Sequence, residues 1–413
     1  MVWTQSQSPC HTVAAMAFSS GKTRDLLLIG RVIPSVHCKS GIVRSRRFKE
    51  IMMRTTTTQS RTTAKHLLPL SAVALAMAVF GGSADVHAQS KQLLVYSWAN
   101  YIPPALLKKF EADTGIKASM DVYSSNESML AKLQAGGGGY DIVVPSYSVL
   151  GTMIRTDMLL KVDASKMPNY KNVAAPHDHP ETDKNRDYSV PYLWGSSGFT
   201  YDSAKVPGGK LDDTWKEFFE PRPELVGKIA AMKDQGEMFT AAAIYLGVDT
   251  CTENPADAQK ILTLLEKQKP AVKIYSSSGT IGRVASGEVV LHHQWNGASH
   301  RAREKLATAT FVYPREGLNL WGDNLVVPKG AANVDNAKTF LNWMMDPKNI
   351  AEASNFSGYN NAIKGSQAYM DASMRDDPAI NPPEAMKSRF RPVIDCPAKA
   401  RELRDGVWTR LQR

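Results

Sequence analysis

From residue 92 onward, apolar positions follow two periods in turn, one suited to strands and one to helices. Leu93-Leu94-Val95-Tyr96 is an apolar run of strand length. Pro103-Pro104 opens a helix, because the fixed φ of proline suits a first turn. Leu106, Leu107 and Phe110 give that helix its buried face, and Gly115 supplies the left-handed stop. Residues 116–123 read as a second strand. Ser125-Asn126-Glu127 begins a helix with Met129, Leu130 and Leu133 on one side, and Asp141-Ile142-Val143-Val144-Pro145 is a third strand. Strands separated by helices predict a parallel α/β arrangement.

The pattern recurs in the second half. Val272-Lys273-Ile274-Tyr275 reads as a strand, Ser276-Ser277-Ser278 as a helix start, Gly287 as its stop and residues 289–292 as a strand. Val326-Val327-Pro328 precedes a helix over residues 334–345 that Asp346-Pro347 closes, and Ala398–Leu411 reads as an amphipathic last helix. Two α/β units of this size exceed one core, so the economical architecture is two lobes with a cleft between them. Ligands of such sheets bind beyond the carboxyl ends of the strands. That rule points to the loops after Tyr96, Val144, Met232 and His293.

Composition changes this picture only at the N-terminus. The 413 residues carry a net charge of +10, which suggests a nucleic-acid surface until it is located. Residues 1–88 hold 11 Lys+Arg against 3 Asp+Glu, so the remainder is nearly balanced and a phosphate-binding face is not indicated. Arg54, Arg61 and Lys65 form a basic n-region, residues 67–80 are uncharged and largely apolar, and Val86-His87-Ala88 offers a cleavage site. This is the grammar of a secretory signal peptide cut near Ala88. The apolar run is shorter than the ~20 residues a membrane span requires. Residues 1–51 do not belong to such a signal: either Met52 or Met53 is the true start, or the segment is an extension without a structural role. After cleavage Cys251 and Cys396 remain. In an oxidising compartment they are either a disulfide or two separate thiols.

Motifs for catalysis and metals fail on inspection. Gly136 to Gly139 precede a strand instead of following one and lack Gly-Lys-Ser/Thr, so they are not a phosphate loop. Gly195-Ser196-Ser197-Gly198 lacks the spacing of a nucleophile elbow. His177-Asp178-His179 reads as a solvated loop. His292 and His293 are neighbours on a strand, where adjacent side chains face opposite ways and do not share an ion. No cofactor or metal is indicated. Aromatics and acids at strand ends stand out instead. Trp98 and Tyr101 follow the first strand, Trp295 follows another, Trp321 stands two residues before Asp323, and Asp234 stands three before Glu237.

Val95-Tyr96-Ser97-Trp98-Ala99-Asn100-Tyr101-Ile102-Pro103 closely resembles the opening of the periplasmic spermidine- and putrescine-binding proteins of ABC importers. The resemblance continues through Tyr140-Asp141-Ile142-Val143-Val144-Pro145-Ser146, Val190-Pro191-Tyr192-Leu193-Trp194-Gly195, Glu237-Met238-Phe239, Trp295-Asn296-Gly297, Trp321-Gly322-Asp323 and Gly358-Tyr359. The stretch from Asn381-Pro382-Pro383 to Trp408-Thr409 is most similar to the putrescine-binding branch. The resemblance implies a two-lobed α/β periplasmic-binding-protein fold of type II, each lobe a mixed sheet flanked by helices and joined by hinge crossovers. It places residues 91–197 and 323–367 in one lobe and 198–322 and 368–413 in the other. It also implies a monomeric periplasmic receptor, not an enzyme, that closes on a polyamine and delivers it to a membrane permease with its ATPase. Carried over by position, Trp98, Tyr101, Ser146, Asp234, Glu237, Trp295, Trp321, Asp323 and Tyr359 fall on ligand contacts.

Those residue types suit a polyamine, since carboxylates neutralise ammonium groups and aromatic faces cover methylenes and attract cations. Three unpaired acids in one cleft would repel one another until a cation arrives. Three positions depart from the resemblance. Ala298 stands where putrescine binders carry an acid, and Ala99-Asn100 replaces a polar-acidic pair beside Trp98. These keep open another amine or an amino-acid derivative as cargo. An exported enzyme using Asp234 and Glu237 as an acid/base pair is the remaining alternative.

Overall fold

In the computed structural model, which describes residues 91–413 except Gly137 and Pro176, strand β1 (Gln92–Trp98) lies between two parallel partners, β2 (Lys117–Tyr123) and β3 (Ile142–Val143). The expected signal peptide, its cleavage point and the start site lie outside the described residues. The helix Pro104–Thr114 connects β1 to β2 with Leu106, Leu107 and Phe110 buried, and Gly115 at φ 72° turns the chain out while its N–H reaches the Glu111 carbonyl. The helix Asn126–Gln134 follows, with Ser125 and Ser128 capping each other's backbone N–H. The segment forms the strand-helix-strand units expected from its sequence, although the second helix buries Asn126 and Met129 and leaves Leu130 and Leu133 partly covered.

The longest strand, β4 (Ser189–Asp202), was not legible as one. Thirteen of its fourteen residues are buried, so no polar-apolar alternation marks it. The remaining strands are β5 (Ile229–Ala231), β6 (Val272–Tyr275), β7 (Leu291–Trp295), β8 (Ala309–Val312), β9 (Leu318–Val326), β10 (Asn360–Asn361) and β11 (Phe390–Pro392). The sheet order is β2-β1-β3-β9-β4-β7-β5-β6, with β8 and β10 on β4 and β11 on β9. Both wings are parallel, but β3–β9, β9–β4 and β4–β7 are antiparallel, so the sheet is mixed.

Two long strands join two cores. Val190, Tyr192 and Leu193 of β4 and Leu325 of β9 pack with Leu93, Phe110 and Phe340, whereas Phe199 and Leu318 pack with Trp215, Met238, Ile261 and Val407. β4 and β9 therefore pass from one lobe into the other in a two-lobed α/β fold, with an irregular register between Pro191 and Trp194 near the crossing. Met370, Met374 and Ile380 return to pack on Ala351.

Four segments differ from the expectation of sequence. The serines at 276–278 form a turn, with Ser278 N–H donating to Ser276 Oγ at 3.2 Å, and the helix Thr280–Ala285 begins only after Gly279 at φ 71°. The strand expected at 289–292 is Leu291–Trp295. Asp346-Pro347 opens a helix, since Asp346 caps Pro347–Ser357 and accepts from Lys348 N–H at 2.9 Å. His177 is half-buried, its ring stacked on Trp194 at 6.1 Å between centroids. Cys251 and Cys396 are joined by a disulfide. No described helix is long and apolar enough to cross a membrane.

Candidate ligand-binding site

The nine residues singled out from sequence line a single cavity of about 510 Å³. The fold delivers them from both sides. Trp98 ends β1, and Asn100 at φ 59° takes the left-handed turn that buries Tyr101. Ser146 follows β3 and bridges to Asp323 on β9. Asp234 and Glu237 sit at the start of the helix Gln235–Leu246, Trp295 ends β7, and Tyr359 follows the Gly358 turn.

Alternation along β9 puts residues 319, 321 and 323 on one face. Asn319 was missed because an asparagine alone carries no signal, yet its position two residues before Trp321 would have found it. It donates to Glu237 Oε2 at 2.8 Å, while Ser197 Oγ and Trp295 Nε1 donate to Oε1 at 2.9 and 3.0 Å. Glu237 is thus not one of three unpaired acids; three donors from β9, β4 and β7 fix its orientation. Asn126 is a second missed residue, donating through Nδ2 to Ser146 Oγ at 3.2 Å.

Asp323 accepts from Tyr101 Oη through Oδ2 at 2.6 Å. Its Oδ1 and the Trp321 indole Nε1 are buried without a hydrogen-bond partner among the described residues. Leaving such groups unpaired is unfavourable, by about 1–3 kcal/mol each. Asp234 caps its helix by accepting from Glu237 N–H at 2.9 Å, which suits an acid to the positive end of a helix.

Burial sets the acidity of all three carboxyls. It raises Asp323 to about 6, against the lowering effect of its hydrogen bonds from Tyr101 and Ser146. Burial and then the charge of Glu237 raise Asp234, with backbone N–H groups and Arg404 acting in the opposite direction. Glu237 is half-buried because part of its surface opens on the cavity, but protein surrounds it closely enough for burial to raise it against its three donors.

The aromatics form the walls. The Trp321 and Tyr359 rings meet edge to face at 4.9 Å, Tyr359 meets Tyr101 at 5.8 Å, and Trp98 leans on Tyr123 at 4.7 Å. Glycines allow this crowding. A Cβ on Gly297 would come within 2.4 Å of the Tyr359 ring, and one on Gly195 within 2.6 Å of Trp321. Trp98 is anchored by its indole N–H to the Val144 carbonyl at 3.0 Å. Among the described residues no cluster of His, Cys, Asp and Glu is arranged to hold a metal.

A buried cavity of carboxylates and aromatics, placed where two strands cross between lobes, defines a receptor that captures a small solute. The chain matches the family described as bacterial extracellular solute-binding protein over residues 105–382, and it belongs to that family. It is 34% identical to the putrescine-binding periplasmic protein SpuD of Pseudomonas aeruginosa, across 82% of this chain and 97% of that one. It is 31% identical to the spermidine/putrescine-binding periplasmic protein of Escherichia coli, across 77% and 89% of the two chains. Among solved structures, the TpPotD lipoprotein of Treponema pallidum superposes with a TM-score of 0.68 at 29% identity, covering 78% of this chain and 99% of that one.

Proposed function

We propose that this chain is a periplasmic receptor that binds a linear polyamine of the putrescine or spermidine type and passes it, as a monomer, to a membrane permease driven by an ATPase. The observation that carries this reading is the grouping of Asp234, Glu237 and Asp323 in one cavity walled by Trp98, Trp295, Trp321 and Tyr359. Raised carboxyls in a low-dielectric space favour a cationic ligand, because it supplies the charge that burial denies them. Flat aromatic faces suit the methylene chain between ammonium groups, each cation–π contact contributing roughly 0.5–2 kcal/mol.

The proposed lobes are residues 91–197 with 323–367 and residues 198–322 with 368–413. Met370, Met374 and Ile380 pack on Ala351, which supports a further crossover near the start of the last segment. Only a closed arrangement lets Asp323 and Tyr359 on one side and Glu237 on the other touch one ligand, so binding favours closure.

An acid/base role for Asp234 and Glu237 is disfavoured by their bonding. Asp234 is committed to a helix cap, and Glu237 is held by three donors. The test is calorimetry on unfolded and refolded, ligand-free protein with putrescine and spermidine, using glutamate and glucose as controls. Heat from an amine and none from the controls supports the reading, whereas no heat from either amine overturns it.

A further inference from the structure

The cavity is not uniformly acidic. Four basic side chains, Arg301, Lys305, Arg391 and Arg404, line it alongside the three carboxylates. Arg404 has a local role: it lies over the Phe239 ring at 5.3 Å, donates to the Thr250 carbonyl at 3.3 Å, and its charge favours the ionised form of Asp234. That leaves Glu237, held only by neutral donors, and Asp323 as the acids without a basic side chain beside them among the described residues.

Arg301 and Lys305 are different. Neither makes an ion pair with another described residue, and Arg301 rests over the Phe356 ring at 5.2 Å. The helix Asn296–Arg303 puts Ala298 and Arg301 one turn apart on the same face, and both line the cavity. The helix Thr280–Ala285 packs against it, and the turn before that helix contributes Ser277, whose Oγ is buried without a partner. One wall is therefore uncharged at Ala298, cationic at Arg301 and Lys305, and hydroxyl-bearing beside them.

Resting on the amine reading of the same site, we propose that the preferred ligand is an amine with a carboxylate at its far end, its ammonium on Glu237 and Asp323 and its carboxylate on Arg301 and Lys305. Arg301 is half-buried and Lys305 exposed, so a second ammonium at that wall meets like charge, while a carboxylate gains charge-assisted hydrogen bonds.

Three probes share one ammonium and differ at the other end: putrescine, its monoacetyl amide and its monosuccinyl amide. Calorimetry on the wild-type protein is expected to give the succinyl amide an affinity roughly ten-fold above that of the acetyl amide. The double substitution Arg301→Gln with Lys305→Gln is expected to weaken the succinyl amide and strengthen putrescine. A purely structural effect would move both the same way. Arg301→Lys, which keeps the charge, is expected to retain the preference. Equal or weaker binding of the succinyl amide overturns this inference while putrescine binding keeps the amine reading intact. Silence from all three probes overturns both.

Discussion

Tyr101 Oη stands 2.6 Å from Asp323 Oδ2 and donates to it, leaving Oδ1 as a buried carboxylate oxygen with no partner among the described residues. The two residues lie 222 positions apart, one in the turn after β1 and the other on β9. Asp323→Asn is expected to weaken amine binding by about 2–5 kcal/mol, because an ammonium would lose a buried charged partner. Tyr101→Phe removes one hydrogen bond and is expected to weaken it by roughly ten-fold. His177→Ala, away from the cavity lining, is expected to leave affinity unchanged. Calorimetric titration separates the three.

The raised carboxyls give binding a pH dependence. Asp323 titrates at about 6 in the folded chain, and burial raises Asp234 and Glu237 as well. An ammonium binds the ionised forms, so affinity is expected to fall as pH drops through about 6, and binding there releases protons. Titrations in buffers of different ionisation enthalpy measure that release. Stability of the ligand-free protein is a less clean readout. A carboxyl raised on folding contributes stability below its unfolded pKa and loses it as pH rises through the folded value. His292 and His293, lowered by burial to about 3, act in the opposite sense and lose their contribution as pH falls.

Gly195 tests the packing of the walls. A Cβ there would lie 2.5 Å from Asn296 Oδ1 and 2.6 Å from the Trp321 ring. Gly195→Ala is expected to destabilise the fold by about 1–3 kcal/mol and to weaken amine binding by displacing Trp321. Gly282→Ala, where nothing lies within 4 Å, is expected to be neutral or slightly stabilising. Denaturant unfolding and binding measured on both variants check this.

The Cys251–Cys396 disulfide closes a loop of 145 residues, and Arg404 lies 3.1 Å from the Cys396 sulfur. Replacing both cysteines by serine is expected to remove about 2–5 kcal/mol of stability. Thermal unfolding with and without reductant should reproduce the same loss in the wild-type chain and none in the variant.

What sequence revealed and what it hid follow from the physics of each element. The strand-helix units after Gln92 were legible because proline, glycine and serine mark helix ends. Trp98, Tyr101 and Trp295 were legible because aromatics at strand ends are unusual, whereas Trp321 and Asp323 lie inside β9 and were placed by the family resemblance. β4 was not, since a strand covered on both faces has no period. Asp346-Pro347 was read backwards because the same dipeptide that stops one helix caps the next. The three donors to Glu237 come from positions 197, 295 and 319, and only tertiary packing brings such distant residues to one carboxylate. The basic wall was hidden for the same reason: Arg301 becomes a cavity residue only once its helix packs beside the loop around Ser277.

The central claim, an ammonium held by buried carboxylates between aromatic walls, is tested most directly by a crystal structure of the chain with putrescine. The expected result is an ammonium nitrogen within about 3 Å of Asp323 Oδ1 and Glu237, with the methylene chain against Trp98, Trp295 or Trp321. Putrescine bound outside this cavity, or a cavity that closes without it while binding heat persists, would show that these carboxylates are not the ammonium site.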